Sequence, residues 1–334
     1  MANVSKMEFP LLRLPILAIF EVLSTMNPLR IIDFSMLSSR CKKIVKLYFR
    51  PGCEFKVYLY FLDNPLITLK GTQNHYWQYE FTPEQKEDNT VKYDVEDNED
   101  CKTLMKYSTD VIQSALSFFQ YMDHLMNFKK LELLILEMCH FPSQNDLIIQ
   151  EIKSIEKPIE CFDLYSEEDV GNDVIDILSH VEGIKFLKLL VPFSEDFEMT
   201  VPSPLCYLYF NHGQWIKLNQ LLEFDSSVIE FKNSKLTDLE LCTFFQSWMS
   251  SESQLNLKIL QLGIGNREVF ENISRNLPHE ETDVNVDRRI RTLPSRQTLL
   301  DWFLIKRNDG TIAIILLSCS NANPDFLSLR MVVG

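Results

Sequence analysis

The sequence predicts a protein of the α+β or α/β class, in which three short N-terminal helices precede a body of alternating strands and helices that ends in a β-hairpin. Three observations predict this fold. Apolar residues recur at helical spacing within residues 9–50. Strand-like apolar runs recur about every 21 to 30 residues between residues 131 and 262. Near the C-terminus, the turn Asn308-Asp309-Gly310 separates two further apolar runs.

The N-terminal helices are predicted from their starting residues. The first begins at Pro15, because proline is pre-set for the opening turn of a helix. The second begins at Asn27 and Pro28, where the asparagine caps free amides and the proline sits at the first helical position. The third begins near Ser39. Three helices this short enclose little core, so part of their apolar surface is expected to face something else.

This segment resembles the F-box, the adaptor-binding motif of substrate receptors in SCF-type ubiquitin ligases. The resemblance runs without a gap through Leu14-Pro15, Val22-Leu23, Met26, Asn27-Pro28, Ile31-Ile32, Leu37-Ser38 and Ile44-Val45. Ile16, Arg30 and Cys41 depart from the family pattern, and the cysteine is similar to the ending found in nematode-expanded F-box families. An ordinary amphipathic helical cluster, packed on its own domain, is the alternative interpretation of the same residues.

The resemblance implies an F-box at residues 9–50 that docks to a Skp-type adaptor and, through it, to a cullin. The adaptor-binding residues that it implies are Leu14, Pro15, Ile19, Val22, Leu23, Pro28, Ile31, Ile32, Leu37 and Cys41.

Charge is unevenly distributed along the chain. The net charge is −14, yet the first 50 residues hold eight basic and three acidic side chains, a net of +5, which leaves −19 for the remainder. A basic segment on an acidic protein favours association with an acidic partner, and F-box adaptors are acidic as a family. The overall charge disfavours general binding of nucleic acid.

Residues 51–100 are predicted to be a β-rich connector that contains an acidic loop. Strand-like runs cover residues 55–61, 66–70 and 75–81. From Thr82 to Asp100, eight acidic residues outnumber two lysines, and this stretch is predicted to be a surface loop.

Residues 101–334 are predicted to be a repeat-like body. The run from Leu131 to Phe141 fits L-x-x-L-x-L-x-x-C-x-F, which resembles the leucine-rich repeat. Later runs are degenerate, and Pro192, Gly213 and Gly265 stand where the repeat has asparagine at its bends. An irregular α+β domain therefore competes with a degenerate leucine-rich-repeat-like solenoid.

A second resemblance covers Leu218 to Gly263 and the run RNDGTIAII further on. These segments are similar to the type-two F-box-associated domain of the nematode families, placed here at about residues 215–320. Thr237 and Glu240 form a predicted capping box at the start of a helix in this region.

No motif indicates a catalytic site, a cofactor or a metal. Gly263 and Gly265 lack the third glycine of a dinucleotide-binding loop, since Glu268 stands there. The eight cysteines include no C-x-x-C pair, which disfavours structural zinc. Cys139 and His140 are neighbours on a predicted strand, so their side chains are expected on opposite faces, where they cannot act together.

The sequence therefore predicts a non-enzymatic, substrate-recognition subunit of an SCF-type E3 ubiquitin ligase that holds an unidentified target protein. The alternative is a leucine-rich-repeat-like scaffold without a ligase role, in which the N-terminal helices fold back on the body. The apolar run from Leu14 to Phe20 is short for a signal peptide and for a membrane span. We expect an intracellular protein, cytoplasmic or nuclear, that is not membrane-bound.

Overall fold

A computed structural model describes residues 11–50, 55–71, 74–96, 99–279 and 297–334. Its described residues have an α/β architecture with nine α-helices and a mixed sheet of 14 strands. The chain divides into two units. The first comprises Met1–Leu134 and Asp146–Glu151, and the second comprises Ile135–Asn145 and Ile152–Gly334.

The predicted fold class, a three-helix F-box followed by a degenerate leucine-rich-repeat-like body with a C-terminal β-hairpin, is wrong. The mixed 14-stranded sheet contradicts it. The strands of the predicted connector are full members of the sheet, because Val57, Leu59 and Phe61 are completely buried along one side of the first strand. A face of that kind needs neighbouring strands and covering helices, which a short linker cannot provide.

The first unit contains the N-terminal helices and six strands in the order β6-β1-β2-β3-β5-β4. Its helices are α1 Ile16–Ser24, α2 Pro28–Met36, α3 Ser39–Tyr48 and α4 Val111–Met126. Its strands are β1 Lys56–Phe61, β2 Leu66–Lys70, β3 His75–Thr82, β4 Val91–Glu96, β5 Glu99–Tyr107 and β6 Leu131–Glu137, whose last three residues belong to the second unit. One of these strands, β4, forms within the acidic stretch that was predicted to be a loop, and β5 begins at the end of that stretch.

The three N-terminal helices begin where their capping residues predict. Pro15 is the N-cap of α1, and the Asn27 side chain accepts a hydrogen bond from the Arg30 backbone amide at the start of α2. The Ser38 side chain does the same for Cys41 at the start of α3. The Asn27 and Ser38 side chains each satisfy an amide that a helix start otherwise leaves unpaired.

These helices pack on their own unit. The hydroxyl of Tyr79 in β3 donates a hydrogen bond to the Leu29 carbonyl in α2 at 3.2 Å. The hydroxyls of Ser35 in α2 and Tyr121 in α4 lie 2.7 Å apart. Burial raises the pKa of Tyr79, and the negative charge of Asp33 adds to the effect, so this phenol stays protonated and able to donate. The N-terminal helices are therefore part of the first unit's core.

The second unit has a parallel sheet with an antiparallel extension, in the order β12-β13-β14-β11-β10-β9-β8-β7. Its parallel strands are β7 Ile159–Tyr165, β8 Phe186–Leu190, β9 Leu205–Phe210, β10 Ser226–Phe231 and β11 Ile259–Ile264. Its antiparallel strands are β12 Gln297–Lys306, β13 Ile312–Ser320 and β14 Leu327–Val333. Its helices are α6 Gly171–Leu178, α7 Leu218–Glu223, α8 Asp238–Met249 and α9 Arg267–Asn276, and α5 Asn145–Lys153 is divided between the units.

The predicted C-terminal hairpin exists, but it is two strands of a larger antiparallel group. β12 and β13 pair across the turn, where Gly310 has a φ of +92° that other residues rarely adopt. No sequence pattern predicted β14, which lies between β13 and β11 and pairs antiparallel with both.

The capping box predicted at α8 is confirmed. The Thr237 side chain accepts from the Glu240 amide, and the Glu240 carboxylate accepts from the Thr237 amide at 2.9 Å. This pair starts the helix that buries Phe244, Phe245 and Trp248 completely.

We predict that Thr237→Ala lowers the free energy of unfolding by about 1 kcal/mol, because it removes the cap from one of the orphan amides. Thr243→Ala is the matched control on the same helix. The Thr243 hydroxyl bonds only to the Leu239 carbonyl within the exposed helix surface, so its loss is expected to change stability by less than about 0.5 kcal/mol. Urea unfolding measures both variants, and equal losses would contradict the capping role.

Candidate functional site

The ten predicted adaptor-binding residues divide into a buried group and an accessible group. The six buried residues are Ile19, Leu23, Pro28, Ile31, Ile32 and Cys41. Leu14 and Val22 are half-buried, whereas Pro15 and Leu37 are exposed. The buried six hold the helical cluster together, so only the other four are accessible to a partner without rearrangement of the helices.

Further exposed apolar residues lie close in sequence to this accessible group. Ile16 and Leu17 in α1 are 42% and 72% exposed, and Met36 and Leu37 at the end of α2 are 45% and 76% exposed. We call Pro15, Ile16, Leu17, Met36 and Leu37 the N-terminal apolar surface. Leu17 and Met36 are absent from the predicted adaptor-binding set, because neither stands at a position of the motif.

One hydrogen bond brings the two ends of this surface together. The Arg40 guanidinium, near the start of α3, donates to the Leu12 carbonyl before α1 at 2.7 Å. This contact places the α2–α3 connection, with Leu37, beside the residues that lead into α1. The same helical segment also carries exposed basic side chains, among them Arg13, Arg30 and Arg40.

The sheet of the second unit has one face that packs against helices. Phe270 of α9 contacts Phe303 of β12 at a ring-centroid distance of 5.3 Å, and Phe224 after α7 contacts Phe210 of β9 at 5.8 Å. Because successive side chains alternate between the faces of a strand, Tyr209 and Trp302 point to the opposite face.

Side chains on that opposite face form a row in register across the strands. Lys188, Tyr209, Glu230, Gln261 and Arg330 are consecutive partners from β8 through β9, β10 and β11 to β14. We call this set the polar row. Lys188, Tyr209, Glu230 and Gln261 are half-buried, and Arg330 is buried.

Two hydrogen bonds fix the geometry around the polar row. Lys188 Nζ donates to Asp163 Oδ2 of β7 at 3.1 Å, and the Tyr207 hydroxyl donates to Glu230 Oε2 at 3.0 Å. Burial raises the pKa of Asp163, and the Lys188 charge opposes part of that shift. Burial, together with the Glu230 charge, also raises the pKa of Tyr207, which keeps the phenol a donor.

A groove of about 350 Å³ lies beside the polar row. Its lining includes Tyr209, Glu230 and Gln261 from the row, with Lys232 and Phe326 from adjacent segments. These side chains offer amide, carboxylate, ammonium and aromatic groups. Such a mixed set suits recognition of a polypeptide by hydrogen bonds and ring contacts. No sequence motif signalled the row, since it depends on the register of strands far apart in the chain.

Residues 196–262 match the family model described as F-box associated. The match extends from the segment before β9 into β11, so it contains α7, α8 and three members of the polar row, Tyr209, Glu230 and Gln261. It confirms the predicted F-box-associated domain, and it overlaps the predicted range of about 215–320. The match lies wholly outside the N-terminal helices.

A search of curated proteins found no match to this chain. Among the described residues, none of the helices has the length and apolar character that crossing a membrane requires.

We predict opposite effects of pH for two aspartate variants of the second unit. The folded-state pKa of Asp163 is raised, so its ionised form destabilises the fold at neutral pH. Asp163→Asn should therefore raise stability relative to wild type at neutral pH. The difference should vanish as the pH falls through the raised pKa towards the ordinary value of about 3.9.

Asp309→Asn is the contrasting variant. Hydrogen bonds from the Arg307 side chain and the Thr311 amide hold the pKa of Asp309 well below its usual range. That stabilisation is present above the unfolded-state pKa and is lost at lower pH. Asp309→Asn should therefore be less stable than wild type at neutral pH, with a gap that closes on acidification. Urea unfolding across a pH series measures both, and the same sign in both variants would refute the assignment.

Proposed function

We propose that this protein is a substrate-recognition subunit of an SCF-type E3 ubiquitin ligase, which docks to a Skp-type adaptor through its N-terminal helices and binds a target protein with its second unit. The observation that carries the proposal is the F-box-associated match at residues 196–262. Domains so described accompany an F-box, and residues 14–45 resemble that motif in sequence.

The N-terminal apolar surface supports the docking half of this proposal. Leu17 and Leu37 are the most exposed apolar side chains of the N-terminal helices, and apolar side chains at the centre of an interface contribute most of its binding energy. Arg13, Arg30 and Arg40 add positive charge that complements an acidic adaptor. Of the departures from the F-box pattern, Cys41 is buried and affects packing, whereas Ile16 and Arg30 are exposed and would meet the adaptor.

The polar row and its groove support the target-binding half. They lie largely within the matched region and on the sheet face opposite the one that α7 and α9 contact. A target held there would be kept at high local concentration beside the ubiquitin-transferring enzyme. This mechanism is proximity, in which the chain itself makes and breaks no bonds.

A protein-binding scaffold without a ligase role is the second candidate. The observation that favours it is the packing of the N-terminal helices on β3 and α4, with six predicted docking residues buried. In that case the N-terminal helices serve the stability of the first unit, and an adaptor has no binding site.

We predict that Leu17→Ala/Leu37→Ala abolishes capture of a purified Skp-type adaptor by the full chain in a pull-down. Removal of the Leu17 and Leu37 side chains should cost about 2 to 4 kcal/mol of binding free energy, because each substitution removes an apolar contact with the adaptor. Both side chains are more than two-thirds exposed, so the fold is expected to be unaffected.

Leu239→Ala is the matched control, since Leu239 is 70% exposed on α8 and lies in the other unit. Leu239→Ala should capture as much adaptor as wild type. Wild type, the double variant and Leu239→Ala should have the same free energy of unfolding in urea. Equal capture by the double variant, or no capture by wild type, would reject the ligase role and favour the scaffold.

A further inference from the structure

A cluster of three metal-binding side chains lies at the turn that follows β6. The strand ends at Glu137, and Met138 to His140 form a turn. Cys139 and His140 are therefore not strand neighbours. The prediction that they point to opposite sides was wrong, because the strand ends at Glu137, four residues before the end of the apolar pattern at Phe141.

The turn brings three different donor atoms together. A carboxylate oxygen of Glu137, the Cys139 sulfur and a ring nitrogen of His140 all lie within 4.8 Å of one another. The closest pair is Glu137 Oε2 and His140 Nε2, at 2.6 Å. Cys139 is exposed and the other two are half-buried, so an ion can reach the cluster from solvent.

Backbone and side-chain hydrogen bonds hold the turn in this shape. The Met138 amide donates to the Tyr165 carbonyl at 2.9 Å, which fixes the turn to the end of β7. The Asn145 amide group donates to the Met138 carbonyl at 3.0 Å. Glu137, Cys139 and His140 are thus presented from a fixed backbone, and their side chains alone need to adjust to an ion.

From this arrangement we propose that Glu137, Cys139 and His140 bind Zn²⁺, with the fourth position open to water or to a ligand from another molecule. Sulfur, imidazole nitrogen and carboxylate oxygen are the ligands of zinc, whereas Ca²⁺ and Mg²⁺ take oxygen alone. Zinc–ligand bonds of about 2.0 to 2.3 Å place tetrahedral ligands about 3.3 to 3.7 Å apart. The Glu137–His140 separation of 2.6 Å is shorter than that range, and the other two separations are at most 4.8 Å, so side-chain rotations can bring the three atoms to the spacing of zinc ligands.

Binding exchanges protons for the ion. The Cys139 thiol loses its proton to solvent on ligation. The proton between Glu137 and His140 Nε2 also leaves, either to solvent or to Nδ1 of the same ring through solvent, and two bonds to the metal replace that hydrogen bond. The site is independent of the proposed ligase role, since it uses neither the N-terminal apolar surface nor the polar row.

The test uses the full chain, freed of metal by chelation and kept reduced. Co²⁺ replaces Zn²⁺ as an optical probe, because its bond to a cysteine thiolate gives a charge-transfer band in the near ultraviolet. We expect this band to appear with one equivalent of Co²⁺ and to disappear when Zn²⁺ displaces it. Cys139→Ser should abolish the band. His140→Gln should weaken Zn²⁺ binding at least about tenfold, because even the loss of a hydrogen-bond partner outside the ligand set costs about 10- to 100-fold in metal affinity.

Cys206→Ser is the matched control, since Cys206 is an exposed cysteine outside the cluster, and it should bind Zn²⁺ like wild type. A second measurement needs no variant: Zn²⁺ should protect Cys139, and not Cys206, from alkylation by iodoacetamide, as mapped by peptide mass spectrometry. Absence of the thiolate band in wild type, unchanged binding in Cys139→Ser, or equal alkylation of both cysteines with and without Zn²⁺ would overturn the proposal.

Discussion

The register of the parallel strands in the second unit is the constraint on which the candidate target-binding surface depends. Leu187, Leu208, Ile229 and Leu260 are completely buried on consecutive strands and define the helix-covered face. A shift of one residue in any strand would turn its buried leucine or isoleucine towards the opposite face. The burial of these side chains therefore also aligns the polar row, one residue further along each strand.

In the first unit, the apolar residues of the F-box-like motif cannot both form the core of the helical cluster and contact a partner. Ile19, Leu23 and Ile32 belong to a motif that resembles a docking site, yet each is at most 2% exposed. A side chain buried this deeply contributes to stability and cannot also be the contact that a partner removes from water. The residues free for recognition are those that the helical cluster leaves uncovered, at the start of α1 and the end of α2.

Local chemistry was predictable from sequence, and long-range strand pairing was not. The side chains of Asn27, Ser38 and Thr237 each accept a hydrogen bond from a backbone amide three residues later. Capping of this kind depends only on neighbouring residues, so the local sequence located the helix starts correctly. The pairing of β3 with β5 and the insertion of β14 between β11 and β13 join segments whose order no local pattern encodes. The acidic stretch was predicted to be a loop for a related reason. Val91 to Asp94 pair with β5, and β4 is the edge strand of the sheet. Charged side chains are common on edge strands because they discourage pairing with a further strand, so a high acidic content does not exclude a strand.

Arg330 shows how the polar row depends on a single acidic residue. It is 5% exposed, and its Nε and Nη1 atoms have no hydrogen-bond partner among the described residues. Burial lowers its pKa while the Glu230 charge opposes that shift, yet a guanidinium remains protonated in proteins. Glu230 therefore has two roles: it accepts a hydrogen bond from the Tyr207 hydroxyl, and its negative charge compensates the buried positive charge of Arg330 two strands away. Because an uncompensated buried charge is costly, Arg330 constrains which side chain can stand at position 230, and that position also lines the groove.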